Sequence, residues 1–345
     1  MFSSASAPVK RVLSKFNYLS INHKRHAQVS IIGAANGIGS NLALLLKQNH
    51  NIKRLNLYDD SERVIPIGAD IAELPGVARV TTYCGHSFLP ASIRSSHLIV
   101  MVYRIPRRPG YNRSQMLAAN APAVQRLCRS IADVNPQAFL AISTNPINSI
   151  IPFASALLFK YCAYDAGKIF GITHIDTIRA KAYVAKTLNI NPGNLDIPVI
   201  GGHSDETIVP LFSSMSPSHH RLDTCQADTL TKLVKKAGME VIRNKQGIDS
   251  SVLAMAWSVN EFVGSLVDAL SGGTTTVNAL TSNPHHGTRF FAGPTTVGCY
   301  GIVETCGANY EMSEYERYLL GNAITTLNKE VMLGEDYARM EAAKL

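Results

Sequence analysis

Short apolar runs alternate with longer amphipathic segments through the first half of the chain. The run that begins at Val29 reads VSIIGAANGIG, in which strand-like residues end at three spaced glycines before the apolar-striped segment SNLALLLKQ follows. This pattern predicts a strand, a tight turn and a helix. Similar apolar runs recur as LNLYD, HLIVMVY, AFLAIST and KIFGI, each followed by loop residues and a helical stretch. The alternation predicts right-handed crossovers and a parallel sheet that is covered on both faces.

The glycine turn after the first strand is a predicted nucleotide site. Gly33, Gly37 and Gly39 let the backbone turn sharply and approach a ligand, and the helix behind them offers N–H groups to a phosphate. Asp59 ends the second strand twenty residues after Gly39, where such folds place a carboxylate for the ribose hydroxyls of NAD. Glycine loops also occur where a helix simply packs tightly on a strand. Because strand, turn, helix, strand and acid are all in register, we predict NAD binding.

The loop after HLIVMVY is predicted to bind an anion. It holds four arginines within ten residues and no acidic residue: Arg104, Arg107, Arg108 and Arg113. Guanidinium groups bind carboxylates through two parallel hydrogen bonds, which favours a small anionic substrate over a merely solvated basic loop. The prolines and the glycine of the loop suit a lid that closes over the ligand. In a parallel sheet this loop meets the glycine turn and the loops that begin at Asn145 and Thr173 in one crevice.

Two further segments supply candidate acid and base groups. Asp176 and Arg179 stand three residues apart in HIDTIRAKAYVAKTL, so they share one face of the predicted helix, where they could also form an ordinary ion pair. His203 follows two glycines at the end of the apolar run IPVI. A single histidine is more often structural, but the glycines give this one access, and Asp176 could orient its ring and hold its tautomer. The pattern therefore indicates an Asp–His couple for acid/base catalysis.

The second half of the chain has longer predicted helices and mixed strands. Apolar periodicity predicts helices near 251–270 and 313–333, and the first of these is apolar nearly all round, as expected for a helix buried between domains or subunits. We therefore predict an NAD-binding domain over 26–172 and a substrate domain over 173–345. Residues 1–25 are expected to lie outside the fold.

The composition is that of a globular protein with an unusual beginning. Of the 345 residues, 46% are hydrophobic, and no apolar run reaches the roughly 18 residues that a membrane helix needs. The net charge is +8, and five cations near the start supply most of it: Lys10, Arg11, Lys15, Lys24 and Arg25. This basic, Ser-rich, acid-free beginning is typical of a mitochondrial transit peptide, although a disordered basic tail has the same composition. We predict no nucleic-acid partner and no membrane partner.

The cysteines and the paired histidines predict no metal site. The six cysteines are scattered without a CxxC pair, so we expect buried small residues in a reducing compartment and neither disulfides nor zinc ligands. The pairs His219/His220 and His285/His286 lie in polar loops without acidic or cysteine neighbours.

Four motifs together resemble one enzyme family. The segments IPRRPG, TNPINS, FGITHIDTIRA and IPVIGGH follow one another as they do in malate dehydrogenases of the mitochondrial type, and the resemblance extends from about residue 27 to 340. It implies an α/β fold with a Rossmann-type doubly wound parallel sheet followed by an α+β substrate domain. It also implies reversible NAD-dependent oxidation of (S)-malate to oxaloacetate, a homodimer and a location in the mitochondrial matrix.

The resemblance also implies a role for each candidate residue. His203 would be the general acid/base, and Asp176 would stabilise its imidazolium form. Arg179 would hold the carboxylate beside the reacting carbon, while Arg107 and Arg113 would hold the distal carboxylate and the carbonyl oxygen. The implied substrate set is Arg107, Arg113, Asn145 and Arg179, and the cofactor set is Gly33, Asn36, Gly37, Ile38, Gly39, Asp59, Asn120, Asn145 and Met255. Arg107 favours a dicarboxylate over lactate, which has no second carboxylate.

Several residues depart from the family pattern close to the predicted site. Asn36 replaces a glycine of the phosphate turn, and Asp205 replaces a glycine two residues beyond the histidine. Tyr103 and Arg104 replace small residues where the cofactor would pass. These changes leave a second hypothesis open, a catalytically weakened paralogue that serves as a structural or interaction subunit. Because the acid/base residues and the substrate arginines are all present, we expect an active dehydrogenase.

Overall fold

The computed structural model describes residues 26–105, 111–248, 250–307 and 309–342. The predicted transit peptide or basic tail at 1–25 lies outside the described residues, and so do Arg107 and Arg108 of the basic loop. None of the described helices is long and apolar enough to cross a membrane.

Strands and helices alternate through the first half, as predicted. The elements are β1 (Ala27–Ile32), α1 (Gly37–Lys47), β2 (Ile52–Asp59), α2 (Val64–Ala72), β3 (Arg79–Cys84), α3 (Leu89–Ile93), β4 (Leu98–Met101), α4 (Arg113–Val134), β5 (Phe139–Ile142), α5 (Ile147–Lys160) and β6 (Ile169–Ile172). The strands pair in the order β3-β2-β1-β4-β5-β6, and each of these pairings is parallel. The order reverses between β1 and β4, which places a ligand crevice outside their carboxyl ends. The predicted Rossmann-type sheet is confirmed.

The second half continues the same sheet. Its elements are α6 (His174–Leu188), β7 (Val199–Gly201), β8 (Ile208–Pro210), α7 (Thr224–Asn244), α8 (Leu253–Leu270), β9 (Thr275–Ser282), β10 (Phe290–Gly298), β11 (Gly301–Glu304) and α9 (Glu314–Ala342). β9 pairs antiparallel with β6, and the sheet runs on through β10, β7 and β8, with β11 paired to β10. α9 runs well past its predicted end at 333.

Two apolar clusters pack on the two faces of the sheet. Val29 and Ile31 of β1 join one cluster with α1 and α8, whereas Ile32 joins the other with α4 and α5. This alternation follows from the two-residue period of a strand, and both faces are buried because crossover helices cover them. Each large side chain in such a core, for example the fully buried Phe262, stabilises the fold by about 1.5–3 kcal/mol.

One face of α8 is buried and the other is exposed. Phe262 packs in the core, but Leu253 is 70% exposed and Trp257 is 53% exposed. In the single chain, α8 is therefore buried on one face only, whereas its sequence predicts burial on nearly all sides.

α9 approaches the start of α5 very closely. A Cβ at Gly334 would lie 2.0 Å from the carbonyl oxygen of Ser149, so only glycine allows this contact. The Ser149 hydroxyl also donates a hydrogen bond of 2.7 Å to the carbonyl oxygen of Glu330. Since α5 begins just beyond the carboxyl end of β5, the contact brings Glu330 to the edge of the sheet where the crevice lies.

Candidate active site

A strand end with two glycines presents His203. β7 ends at Gly201, which has a φ of 100°, and a Cβ there would lie 2.2 Å from the carbonyl oxygen of Thr207. A Cβ on Gly202 would lie 2.7 Å from the Nδ2 of Asn148. The glycines thus let the backbone pass close to α5, where the Oδ1 of Asn148 accepts a hydrogen bond of 2.9 Å from the His203 N–H. The position of the histidine is therefore fixed through its backbone.

Asp176 lies beside the ring of His203. Its Oδ2 is 2.6 Å from Nδ1 of the imidazole, and the two side chains are 1% and 12% exposed, respectively. Because the carboxylate holds a proton on Nδ1, Nε2 is the ring atom that can exchange a proton with a ligand. A carboxylate in this place also stabilises the positive charge that the ring gains when it takes a proton. The structure thus brings together the two residues that the sequence identified as a couple.

Arg179 lies on the same face of α6 as Asp176. Its Nη1 is 3.7 Å from the Oδ1 of Asp176, which is beyond hydrogen-bond distance, and that oxygen has no hydrogen-bond partner among the described residues. The Arg179 side chain is 15% exposed. The guanidinium is therefore held near the acid/base couple without a close ion pair.

Arg113 is paired with an acid from a distant part of the chain. It is the first residue of α4, and its Nε lies 2.7 Å from the Oε1 of Glu330. The Oε2 of Glu330 accepts a hydrogen bond of 2.6 Å from the Nδ2 of Asn148, the residue that also holds the His203 backbone. The basic loop itself contains no acidic residue, so the partner of Arg113 comes from α9, far along the chain.

Sequence reasoning does not identify Asn148 or Glu330 as site residues. Asn148 lies inside the TNPINS motif, but the family resemblance implies a site role for Asn145 of that motif only. Glu330 lies in a long helix of mixed charge, where no local pattern separates it from solvated acids. Glu330 is 7% exposed, and this burial results from the packing of α9 on α5.

Asn120 joins the loops that follow β4 and β5. It is 3% exposed, and its Oδ1 accepts a hydrogen bond of 2.9 Å from the backbone N–H of Ile105. Its Nδ2 donates a hydrogen bond of 3.0 Å to the carbonyl oxygen of Asn145. The two loops therefore meet at the carboxyl end of the sheet, as the parallel arrangement predicts. The side chain of Asn145 is exposed there, and Met255 of α8 is half-buried.

The glycine turn forms a cradle that side chains would fill. Gly33 has a φ of 95°, and a Cβ there would lie 2.5 Å from the backbone of Tyr103. A Cβ on Gly39 would lie 2.2 Å from the carbonyl oxygen of Gly33. At the end of β2, the carboxylate of Asp59 accepts hydrogen bonds from the Ala35 N–H at 2.9 Å and from the Ser61 N–H at 3.0 Å. A glycine cradle with a fixed carboxylate beside it suits a dinucleotide.

Asn36 caps the helix at this turn. Its Oδ1 accepts hydrogen bonds from the N–H groups of Ile38 at 2.8 Å and Gly39 at 3.0 Å, and its Nδ2 donates to the carbonyl oxygen of Val102 at 2.9 Å. An asparagine at the N-cap commonly satisfies helix N–H groups in this way.

A polar cluster that the sequence did not predict lies beside Asp59. The carboxylate of Asp60 accepts a hydrogen bond of 2.5 Å from the Tyr58 hydroxyl and lies 2.8 Å from the Nδ1 of His86. It also lies 3.2 Å from the Nη2 of Arg126. Burial and the nearby Asp60 raise the pKa of Tyr103, and the nearby Arg126 opposes this. Tyr103 therefore lies in this part of the crevice as an uncharged side chain.

Asp205 has a cation beside it. The pKa of Lys235 on α7 is lowered by burial, and the charges of Glu206 and Asp205 oppose this decrease. The charge of Asp205 thus favours the protonated form of Lys235.

The described residues offer no metal site, and three cysteines differ from expectation. No group of three or more His, Cys, Asp or Glu residues in the described part of the chain could hold a metal ion. Cys128 and Cys306 are buried as predicted, but Cys162, Cys225 and Cys299 are exposed. Each of these three lies at a helix end or in a turn between strands, where no element covers it.

His174 opens α6 as a largely buried residue. Its Nδ1 has no hydrogen-bond partner among the described residues. Burial and the nearby charge of Lys181 together lower its pKa from the ordinary 6.5 to about 4, and the charge of Asp176 opposes this decrease. The imidazole is therefore neutral in the folded protein at neutral pH.

This burial predicts a loss of stability in acid. Because the unfolded chain binds the His174 proton near pH 6.5 and the folded chain binds it near pH 4, the free energy of unfolding should fall across this window, by up to about 3 kcal/mol. Denaturant unfolding at pH 7, 5.5 and 4.5 measures the decrease. The variant His174→Leu should show a shallower decrease, and equal slopes for the two proteins would contradict the prediction.

Comparison with known proteins gives consistent matches over the whole described chain. Residues 27–171 match the NAD binding domain of lactate/malate dehydrogenases, and residues 173–338 match the alpha/beta C-terminal domain of the same enzymes. The chain is 33% identical over 340 residues to the mitochondrial malate dehydrogenase of Bos taurus, covering 98% of this chain and 99% of that protein. It is 32% identical over the same length, with the same coverage, to the mitochondrial malate dehydrogenase of Homo sapiens.

Solved structures agree on the fold. The apo malate dehydrogenase from Picrophilus torridus aligns with a TM-score of 0.79 at 20% identity, over 91% of this chain and 99% of that one. The lactate dehydrogenase from Cryptosporidium parvum, solved with lactic acid and β-nicotinamide adenine dinucleotide, aligns with a TM-score of 0.76 at 21% identity, over 90% and 98%.

Proposed function

The chain belongs to the lactate/malate dehydrogenase family, with NAD as its cofactor, and on that premise we propose that it is a malate dehydrogenase. It interconverts (S)-malate and oxaloacetate. The observation that carries the proposal is the contact of 2.6 Å between His203 and the buried Asp176, with Arg179 beside it and Arg113 linked to it through Glu330 and Asn148. This arrangement offers a proton acceptor beside cations that can hold carboxylates.

The chain's own residues handle the proton and the charges. The glycine turn and Asp59 would hold NAD, whose nicotinamide would supply the acceptor for the hydride from the C2 carbon of malate. The Nε2 of His203 takes the proton of the C2 hydroxyl, so that a C=O bond forms as the C–H bond breaks. Asp176 stabilises the resulting imidazolium through Nδ1. In the reverse direction the same Nε2 returns the proton to the carbonyl oxygen of oxaloacetate.

The proposed substrate contacts come from three places in the chain. Arg179 holds the carboxylate next to the reacting carbon, because it lies on the same helix face as Asp176. Arg113 and Arg107 hold the distal carboxylate and the carbonyl oxygen, and Arg107 lies outside the described residues. Asn145 offers an exposed amide at the end of β5.

A steady-state assay tests the proposal. NADH oxidation by the purified protein is measured with oxaloacetate and, separately, with pyruvate. We expect saturable turnover with oxaloacetate and far slower turnover with pyruvate, which has no second carboxylate for Arg107. Preference for pyruvate would place the protein among lactate dehydrogenases.

A specific observation also keeps the weakened paralogue as a second candidate. The N–H groups of the phosphate turn are already hydrogen-bonded to Asn36. A folded protein that binds NADH without measurable turnover of either substrate would favour this candidate over an active enzyme.

Assembly and location belong to the same proposal. We place the protein in the mitochondrial matrix, because relatives that are 32% and 33% identical over 340 residues are named as mitochondrial and the first 25 residues are basic and free of acid. We propose a homodimer, in which the exposed Leu253 and Trp257 of α8 supply apolar surface for a subunit contact.

The cofactor preference follows from Asp59. Its fixed carboxylate would repel the 2′-phosphate of NADPH, so kcat/KM should be about a hundredfold higher with NADH. Initial rates at varied NADH and NADPH measure the ratio. Asp59→Asn should narrow this ratio, and equal rates of the unaltered protein with both cofactors would contradict the assignment.

A further inference from the structure

Asn36 uses the hydrogen-bond donors that a pyrophosphate needs. In folds of this type, the pyrophosphate of the dinucleotide lies against N–H groups at the N-terminus of the first helix. Here the Oδ1 of Asn36 accepts from two of these groups, those of Ile38 and Gly39, at 2.8 and 3.0 Å. An amide oxygen carries a partial negative charge, so it fills the place of a phosphate oxygen with a weaker acceptor. These two N–H groups are thus already hydrogen-bonded before any cofactor binds.

A second bond keeps the side chain in this place. The Nδ2 of Asn36 donates to the carbonyl oxygen of Val102 at 2.9 Å, just beyond the end of β4. The amide therefore spans from the helix start to the neighbouring strand end, across the crevice where the sheet order reverses. Moving the Asn36 side chain away breaks three hydrogen bonds. A bound pyrophosphate would replace two of them.

We propose that Asn36 competes with the cofactor's pyrophosphate, so that NAD(H) binds only after the Asn36 side chain has left the N–H groups of Ile38 and Gly39. The inference deepens the proposed function and rests on its cofactor site. It assigns to Asn36 a role opposite to that of a favourable contact: the residue stabilises the empty site and weakens dinucleotide binding.

The backbone at Asn36 makes the inference easy to test by substitution. Its φ of −83° and ψ of 166° are ordinary extended values. Glycine is itself a favoured N-cap residue and replaces asparagine there at little cost in stability, so Asn36→Gly should keep the fold. Asn36→Ala removes the same amide and keeps the Cβ, which gives a second variant with a stiffer backbone.

The experiment compares three ligands on the full chain. NADH is titrated by its fluorescence, and ADP-ribose and adenosine are titrated by calorimetry, with wild type, Asn36→Gly and Asn36→Ala. Both variants should bind NADH and ADP-ribose about fivefold to tenfold more tightly, because one or two cap hydrogen bonds no longer have to be broken. Adenosine lacks the pyrophosphate, so its affinity should not change. Asp223→Gly removes the N-cap of α7 and serves as the matched control, with no change for any ligand.

Two outcomes of the binding experiment would overturn the inference. Unchanged or weaker NADH binding by both variants would show that Asn36 does not oppose the pyrophosphate. An equal gain for adenosine would place the effect outside the phosphate turn. The proposed function is tested separately. Tighter NADH binding by the variants without turnover of oxaloacetate would reject the proposed function and leave the inference standing. Turnover of oxaloacetate with unchanged NADH binding by the variants would support the proposed function and reject the inference.

Discussion

His203→Ala should lower kcat for malate oxidation by about 10²- to 10⁴-fold, the range that a positioned general base supplies. The substitution removes the proton acceptor and leaves Asp176 buried without its partner at 2.6 Å. The glycine turn and Asp59 are unaffected, so the Kd for NADH should stay essentially unchanged. Single-turnover rates and NADH titration measure the two effects on the same preparation.

A second histidine gives the control for this result. His286 is half-buried, its Nε2 lies 3.0 Å from the carbonyl oxygen of Cys306, and its ring stacks on Phe291. His286→Ala should therefore affect stability and leave kcat near the wild-type value. If His203→Ala kept a tenth of the wild-type kcat, the assignment of the acid/base residue would be wrong.

Gly39→Ala should weaken NADH binding by roughly 5- to 150-fold. The added Cβ would lie 2.2 Å from the carbonyl oxygen of Gly33 and 2.6 Å from the Cα of Ala34, and both of these are backbone atoms. No side-chain rotation relieves such contacts, so the turn must open. Forcing extra atoms into a packed place costs about 1–3 kcal/mol, which gives the range above. NADH fluorescence titration measures the Kd, and thermal unfolding measures the accompanying loss of stability.

Gly321→Ala separates a local clash from a general effect of replacing glycine. Gly321 lies within α9, and a Cβ there would meet nothing within 4 Å. This variant should bind NADH as the wild type does and should be slightly more stable, because alanine favours helix. Equal effects of the two substitutions on NADH binding would contradict the proposed crowding at the turn.

The parallel half of the fold was predictable because its signals are local. The strands predicted from apolar runs end within a few residues of their predicted ends, because the apolar runs mark them. β3 was not predicted, because its sequence RVTTYC has no continuous apolar run. The runs HLIVMVY and AFLAIST each extend two residues beyond the ends of their strands, β4 and β5. The joining of β9 to β6 was not predictable, because pairing between distant strands leaves no mark on a local pattern.

The site divides in the same way. The couple of Asp176 and His203 was predictable because each residue stands at a marked place, a helix start and a glycine-flanked strand end. Glu330 was not predictable, because its role depends on the packing of α9 against α5. Asn36 stands out in the sequence as a replacement for a glycine of the turn, although asparagine before a helix is also a common capping signal. The structure shows the capping contact.

The pair of Arg113 and Glu330 affects the approach of the substrate as well as its binding. One cation of the crevice is neutralised before a ligand arrives, at a distance of 2.7 Å. The proposed dicarboxylate substrate should therefore meet a weaker positive field than a fully uncompensated set of arginines would create, which reduces electrostatic steering of the encounter. The rate of association should then depend less steeply on ionic strength. Association of the substrate is then slower, but Arg113 is already held in place by Glu330 when the substrate binds.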